Sequence, residues 1–255
     1  MKILCMTNNN MIFVANWKMH GNFNDISKVK TVLNLIKNKK YKKIKIIYCP
    51  PFTLLKSFSN YFNNTKLNIG AQNCYYKSDY GPYTGNVNAK LIKSAGAKYI
   101  ILGHSENRNE GETDLLINQK IKSVLKEKLS IIFCIGETID EKKKKITFQV
   151  LKRQISKGLK GIKNTNKIII AYEPVWSIGS GIIPSRNELE KNIKNINKIL
   201  KQLKFKNSIK ILYGGSVNSK NANEFSKIDG IGGLLVGGAS LNSKKFVDII
   251  KKTSN

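Results

Sequence analysis

The chain has 255 residues, 45 basic against 16 acidic, for a formal net charge of +29, and 41% of its side chains are hydrophobic. That length and apolar content allow one large α/β or β domain, or two small ones, around a real core. The charge suggests a nucleic acid or an acidic membrane surface, but only Arg108, Arg153 and Arg186 are arginine, the better reader of phosphates and bases.

The lysines are spread along the chain, and Asn and Ile are abundant beside them, as an AT-rich genome would leave them. No apolar run approaches the ~18 residues that cross a bilayer, and the first ten residues are too short and polar for a signal peptide. Cys5, Cys49, Cys74 and Cys134 form no CxxC pair, which indicates neither zinc nor a disulfide framework. Reduced thiols in a cytoplasmic enzyme are the plain expectation.

In chain order, short apolar runs are predicted as strands at Ile12–Ala15, Ile44–Tyr48, Leu67–Ala71, Tyr99–Leu102, Ile131–Ile135, Ile168–Tyr172, Ile209–Tyr213 and Leu234–Val236. They are apolar throughout and bounded by Gly, Pro or Asn, the pattern of parallel strands buried on both faces. Helical spacing lies between them. One stripe runs from Leu115 through Ile117, Ile121 and Val124 to Leu125. Another runs from Leu189 through Ile193, Ile196 and Leu200 to Leu203, after a capping-box pattern at Ser185 and Glu188. The Lys142–Lys145 and Lys37–Lys43 clusters read as solvated surface.

Eight strands alternating with helices in ~250 residues predict an α/β fold, a (β/α)8 barrel of eight parallel strands surrounded by helices. The rival is a doubly wound open sheet, which usually carries GxGxxG after its first strand; none is present here. No segment reads as a linker. Residues 1–255 are therefore predicted as a single domain, with 1–11 as an N-terminal extension that is dispensable if translation starts at Met11.

Polar residues at the C-terminal ends of barrel strands face a shared pocket. Asn16 and Lys18 follow the first predicted strand and His104 and Glu106 the fourth. Glu173 follows the sixth, Gly214–Ser216 the seventh and Gly237–Ser240 the eighth. There is no carboxylate pair for glycoside hydrolysis, no GxSxG elbow and no clustered metal-ligand set. A carboxylate, an imidazole and an ammonium beside glycine-rich turns suggest proton abstraction next to a carbonyl on a small phosphorylated substrate. Two alternatives remain open at this point. One is another phosphate-binding barrel enzyme. The other is a polyanion binder built on the barrel, which would need a contiguous basic face with stacking aromatics.

Seven segments carry a resemblance. They are Asn16-Trp17-Lys18-Met19, Gly70-Ala71-Gln72-Asn73, Leu102-Gly103-His104-Ser105-Glu106, Cys134-Ile135-Gly136-Glu137, Tyr172-Glu173-Pro174-Val175-Trp176, Tyr213-Gly214-Gly215-Ser216-Val217 and Val236-Gly237-Gly238-Ala239-Ser240-Leu241. In order and spacing, across residues 12 to 250, they resemble the triosephosphate isomerases. That family is the usual illustration of a tuned Glu/His pair and of a closing lid, so the roles that follow come from the resemblance.

It implies interconversion of D-glyceraldehyde 3-phosphate and dihydroxyacetone phosphate through an enediolate, a step of glycolysis and gluconeogenesis, with no cofactor and no metal. Glu173 would be the general base and His104 the electrophile on the carbonyl. Lys18 would offset substrate charge beside Asn16, and Glu106 would support the lysine. The N–H groups of Gly179, Ser216, Gly237 and Gly238 would hold the phosphate. The stretch from Pro174 to Gly181 would be a mobile lid. A homodimer is implied too, the Asn73–Asn86 loop reaching a partner near Met19 and placing Thr84 beside its site. No nucleic acid or membrane partner is expected, and the location is cytoplasmic.

The chain also departs from the family's pattern. Asn86 and Asn107 stand where an acid and an arginine commonly pair across the dimer, so an amide contact is expected in place of a salt bridge. Ile182-Ile183-Pro184 follows the lid where a lysine is common, and proline restricts Ile183 to extended conformations. Ile231-Gly232-Gly233 looks like a small insertion before the last strand.

Overall fold

The computed structural model describes residues 10–205 and 208–254, so residues 1–9 of the N-terminal extension lie outside the described residues. Eight strands are formed: β1 (Ile12–Asn16), β2 (Lys45–Cys49), β3 (Asn68–Ala71), β4 (Tyr99–Leu102), β5 (Ser130–Ile135), β6 (Ile168–Tyr172), β7 (Lys210–Tyr213) and β8 (Ile231–Val236). They pair in parallel in sequence order and close into a barrel, with Ile12 of β1 opposite Gly233 of β8. The helices are α1 (Asp25–Lys28), α2 (Lys30–Lys37), α3 (Phe52–Tyr61), α4 (Ala89–Ser94), α5 (Ser105–Asn109), α6 (Asp114–Lys126), α7 (Ile139–Lys143), α8 (Thr147–Gly158), α9 (Arg186–Gln202), α10 (Ala222–Phe225) and α11 (Ser243–Ser254).

The apolar runs divide by parity, because successive strand residues point to opposite faces. Ile12, Val14, Ile47, Cys49, Ile101, Ile132, Cys134, Ile169, Ala171, Leu212 and Leu235 meet inside the barrel. The alternate residues, among them Phe13, Ile46, Tyr48, Ile100, Phe133, Ile170, Tyr172 and Tyr213, form the layer under the helices. Ile117, Ile121 and Val124 of α6 and Leu189, Ile193 and Ile196 of α9 fill that layer from outside. Each such buried side chain contributes about 1.5–3 kcal/mol relative to exposure.

The predicted β4 and β6 match the observed strands residue for residue, while the other strands differ by one to three residues at their ends. The largest difference is at β8. The predicted strand starts at Leu234, but Ile231, Gly232 and Gly233 are already part of the sheet. The β7–β8 register shifts between Ile211 and Tyr213, so the apparent insertion is absorbed as a bulge within the ladder. Two glycines hide a strand from any reading based on side-chain pattern.

Leu115 is a second difference: it heads the predicted stripe of α6 yet is exposed. At Ser185 only half of the box forms. The Ser185 side chain accepts the Glu188 N–H, but the Glu188 carboxylate pairs with Lys142. The complete capping box is at Thr138 and Glu141, opening α7. Lys142 is thus held between Glu188 and the Trp176 ring, 3.4 Å from its centroid, and is not simply a solvated lysine. The loop after β3 is held by its own contacts. The Tyr75 N–H donates to the Val87 carbonyl, the Asn88 side chain donates to the carbonyls of Ser78 and Asp79, and Tyr75 packs on Tyr76 and Tyr83.

Closure of the barrel depends on Gly233. Its φ is +146°, and a Cβ there would stand 1.9 Å from the Ile12 carbonyl oxygen. Gly233→Ala is therefore expected to cost about 3 kcal/mol or more. A denaturation midpoint unchanged within error would show that the β1–β8 seam tolerates a side chain.

Candidate functional site

The inward parity of the strands continues past their C-terminal ends. Asn16 follows Ile12 and Val14 of β1, Glu173 follows Ile169 and Ala171 of β6, and Gly214 and Gly237 follow Leu212 and Leu235. These positions open onto a cavity of about 290 Å³, also lined by Lys18, His104, Ile178, Gly179, Ser216 and Gly238. Wider clefts exist, of about 450 Å³ beside Arg108 and Arg153 and about 570 Å³ beside Tyr76 and Tyr80. The smaller cavity is where an imidazole, a carboxylate and an ammonium converge, and that convergence marks a ligand site better than volume does. Its size, at the low end of the roughly 300–1,000 Å³ common for ligand pockets, suits a small molecule.

Lys18 sits on a constrained backbone. Its φ is +53°, uncommon for a residue with a side chain. The Asn16 side-chain oxygen accepts the Lys18 N–H at 3.1 Å, and the Gln72 amide donates to the Lys18 carbonyl at 2.8 Å, while also reaching the Cys49 carbonyl. Held there, the ammonium meets the Glu106 carboxylate at 2.6 Å. The lysine stem passes Gly237, where a Cβ would lie 3.4 Å from Lys18 Cε.

His104 caps the start of α5. Its Nδ1 accepts the Glu106 N–H at 3.3 Å. A ring nitrogen that accepts carries no proton, so the imidazole hydrogen resides on Nε2. That Nε2 lies 3.6 Å from Glu173 Oε1 across the cavity. His20, the other histidine, is exposed on the loop after β1.

Glu173 is 2% exposed. Burial pushes its carboxyl above the ordinary range, against the opposing pull of His104, the Cys134 thiol, Lys18 and the Ser105 N–H. Gly214 leaves room for the side chain: a Cβ there would stand 2.7 Å from Glu173 Cγ. After Glu173 the chain turns through a 3₁₀ segment, Val175–Ser177. Trp176 Nε1 donates to Glu137 at 2.8 Å. The same carboxylate accepts from Tyr172, whose hydroxyl accepts in turn from Asn192 of α9. Burial raises the Glu137 carboxyl as well, opposed by the Trp176 and Tyr172 donors.

The structure thus gathers Asn16, Lys18, His104, Glu173, Gly179, Ser216, Gly237 and Gly238 around one cavity, with Glu106 on the flank of Lys18. Met19 and Thr84 are exposed outside it. Asn86 hydrogen-bonds to the Tyr83 and Thr84 carbonyls, and Asn107 accepts from Asn73 of its own chain. Sequence reasoning gave no role to Gln72, Cys134, Ser105 or Glu137. Cys134 was findable by parity, two residues beyond the inward Ile132. Gln72 and Ser105 act through one amide and one backbone N–H, which leave no signature in the sequence.

Burial of Glu173 has a sign for stability. Its folded pKa lies above its unfolded one, so the folded state binds this proton more tightly. The stability tied to it is complete below the unfolded value of about 4.3 and is lost as pH rises through the folded value. Ionised Glu173 is therefore a cost at pH 7. Glu173→Gln is expected to melt higher than wild type at pH 7, with the difference shrinking toward pH 4. Thermal melts across that range check it, and a variant less stable at pH 7 would contradict it.

The family model described as triosephosphate isomerase matches residues 11–253. A triosephosphate isomerase of Thermodesulfovibrio yellowstonii is 38% identical over 242 residues, covering 93% of this chain and 97% of that protein. One from Aquifex aeolicus is 39% identical over 244 residues, covering 94% and 98%. The crystal structure of a triosephosphate isomerase from Bartonella henselae superposes with a TM-score of 0.87 at 30% identity, covering 96% of this chain and all of that one. The chain belongs to the triosephosphate isomerase family.

Proposed function

We propose that the cavity at the C-terminal end of the barrel is where this enzyme carries out its isomerisation, with Glu173, His104, Lys18, Asn16 and Glu106 in the roles that follow. The enzyme interconverts D-glyceraldehyde 3-phosphate and dihydroxyacetone phosphate, a step of glycolysis. The observation that carries the assignment is the facing pair of Glu173 Oε1 and the protonated His104 Nε2, 3.6 Å apart beside Lys18.

Glu173 removes a proton from the carbon next to the substrate carbonyl. His104 Nε2–H and the Asn16 and Lys18 side chains face the oxygen on which negative charge develops. The enediolate is re-protonated by Glu173 on the neighbouring carbon, which completes the aldose–ketose exchange without net change in the protein. Glu106, 2.6 Å from Lys18, holds the ammonium in place. The N–H groups of Gly179, Ser216, Gly237 and Gly238 seat the phosphate, with the Lys18 charge nearby. Ile178 lines the cavity from the lid side and excludes water over it.

The whole chain serves as one domain, and the active form is a homodimer. Met19 at 94% exposure and Tyr80 at 63% are large apolar groups that a partner would cover, and Thr84 lies on the same loop as Tyr80. Among the described residues no helix is long and apolar enough to cross a membrane, and a glycolytic role supports the cytoplasm as the proposed location.

In a coupled isomerisation assay, Glu173→Gln is expected to lower kcat by about 10²–10⁴-fold with little change in KM. Wild-type turnover in that variant would remove Glu173 from the role of base. The acid limb of the wild-type kcat/KM profile should lie above the ordinary glutamate value of about 4.3, because the raised carboxyl must be ionised to act. Lys18→Met should lose about 10–100-fold in kcat/KM, the worth of a charged hydrogen bond. For the dimer, an amide contact of Asn86 and Asn107 in place of a salt bridge should make the interface less salt-sensitive at that point. With the two mutated singly and together, the changes in the dimer dissociation constant should be coupled, and strictly additive changes would show that the two do not meet.

A further inference from the structure

The opposite end of the barrel holds a cavity that the isomerisation does not use. It opens at the N-terminal ends of the strands and measures about 360 Å³. Strand register decides what faces it. Lys45 of β2 lies beside Ile12 of β1, and Lys210 of β7 lies beside Ile169 of β6. Ile12 and Ile169 belong to the barrel interior. Lys45 and Lys210 are therefore the inward residues of their strands' first layer, on the same faces as Ile47 and Leu212. Lys43 and Lys167 stand exposed at the rim, and Ser130, Thr165 and Ser208 add hydroxyl groups.

Four ammoniums line this mouth, and among the described residues no carboxylate does. Lys210 donates to the Asn10 carbonyl at 2.5 Å, and Lys45 Nζ lies 5.8 Å from the centroid of the Tyr99 ring. Burial and the charge of Lys45 both hold the Lys210 ammonium below its ordinary pKa, so the two lysines act on each other. The N-terminal face of such a barrel ordinarily serves stability, but like charges around one mouth repel and oppose the fold. A lysine-rich composition accounts for ammoniums on solvated helix faces. It does not account for two of them on inward strand positions.

We propose that this mouth is a second anion site, which binds a free oligophosphate, a small molecule with two or more linked phosphoryl groups. Lys43 and Lys45 stand on the β2 side, Lys167 and Lys210 on the β6–β7 side. In a ring of eight strands β2 and β6 are diametrically opposed. A single phosphate meets one pair of ammoniums, whereas a chain of phosphoryl groups meets both. Lysine suits that task, because it offers a compact charge without a fixed hydrogen-bonding fork. A nucleic-acid strand fits less well. The one aromatic ring in the lining, Tyr99, is 8% exposed and gives the bases no stacking platform.

Inorganic diphosphate is the probe, titrated calorimetrically into the full chain at fixed ionic strength, with the catalytic cavity saturated by triose phosphate. One diphosphate should still bind per chain. The double variant Lys45→Gln, Lys210→Gln should weaken it about tenfold or more, the worth of hydrogen bonds to a charged group, while kcat and KM for isomerisation stay unchanged. A control, Lys194→Gln with Lys198→Gln, removes the same charge from the exposed face of α9 and should bind as wild type does. Equal weakening in both would reduce the effect to the general field of a +29 chain and overturn the proposal. Diphosphate that no longer binds once triose phosphate is present would belong to the other cavity, which overturns it equally. A single-stranded oligonucleotide that displaces diphosphate at equal phosphate concentration would show that the mouth takes an extended strand, against a small free ligand. Should the double variant fold poorly, Lys43→Gln and Lys167→Gln at the rim should each weaken diphosphate about threefold, as exposed charge pairs do. Unchanged affinity in both would remove the site.

Discussion

Closure of eight parallel strands into a ring is the constraint on which the rest of this molecule depends. Once the ring is closed, every second residue of each strand faces a space that only other strands can fill. Ile, Val, Cys, Ala and Leu fill it along most of its length. At the C-terminal rim the same alternation delivers Asn16 and Glu173 to the inside, with no loop needed to aim them. The proposed active cavity is the continuation of the core by polar residues. A side chain placed this way inherits the rigidity of the sheet, as transition-state stabilisation by pre-positioned groups requires.

The same placement sets two demands against each other. A carboxylate at the end of a packed core is drawn out of water and resists ionisation, yet the role of base proposed for it needs the ionised form. His104, Lys18, the Cys134 thiol and the Ser105 N–H favour the charge, though not enough to cancel the burial. Glu137 repeats the theme one strand earlier, where a buried carboxylate takes the Trp176 and Tyr172 donors. Both acids hold less stability than a neutral group would give, and both stand where the lid begins.

Much of this was legible in the sequence, for identifiable reasons. The cores of β4 and β6 are uninterrupted β-branched and aliphatic runs with polar or glycine flanks, so their ends are sharp. The rim residues sit at strand ends, and their strand positions alone bring them together. Where meaning resides in backbone or in geometry between distant segments, the sequence was silent. Gly232 and Gly233 have no side chain to show a strand. Lys142 is one lysine among many until Trp176 and Glu188 flank it. Glu188 was paired with Ser185 by spacing, but an ammonium from another helix took its carboxylate.

The β1–β8 seam at Gly233 bears on how the chain reaches this state. Seven of the eight strand pairings join neighbours in sequence, and each can form once its own strand–helix unit is in place. The β1–β8 pairing joins opposite ends of the chain, the most expensive loop closure in the topology. It is also the pairing in which backbone approaches backbone so closely that no side chain fits. Such a contact rewards the chain only when both edges are already correctly formed. The seam would therefore zip late, and until it does, β1 and β8 present open strand edges, the surface on which an unfinished barrel is most prone to pair with another copy.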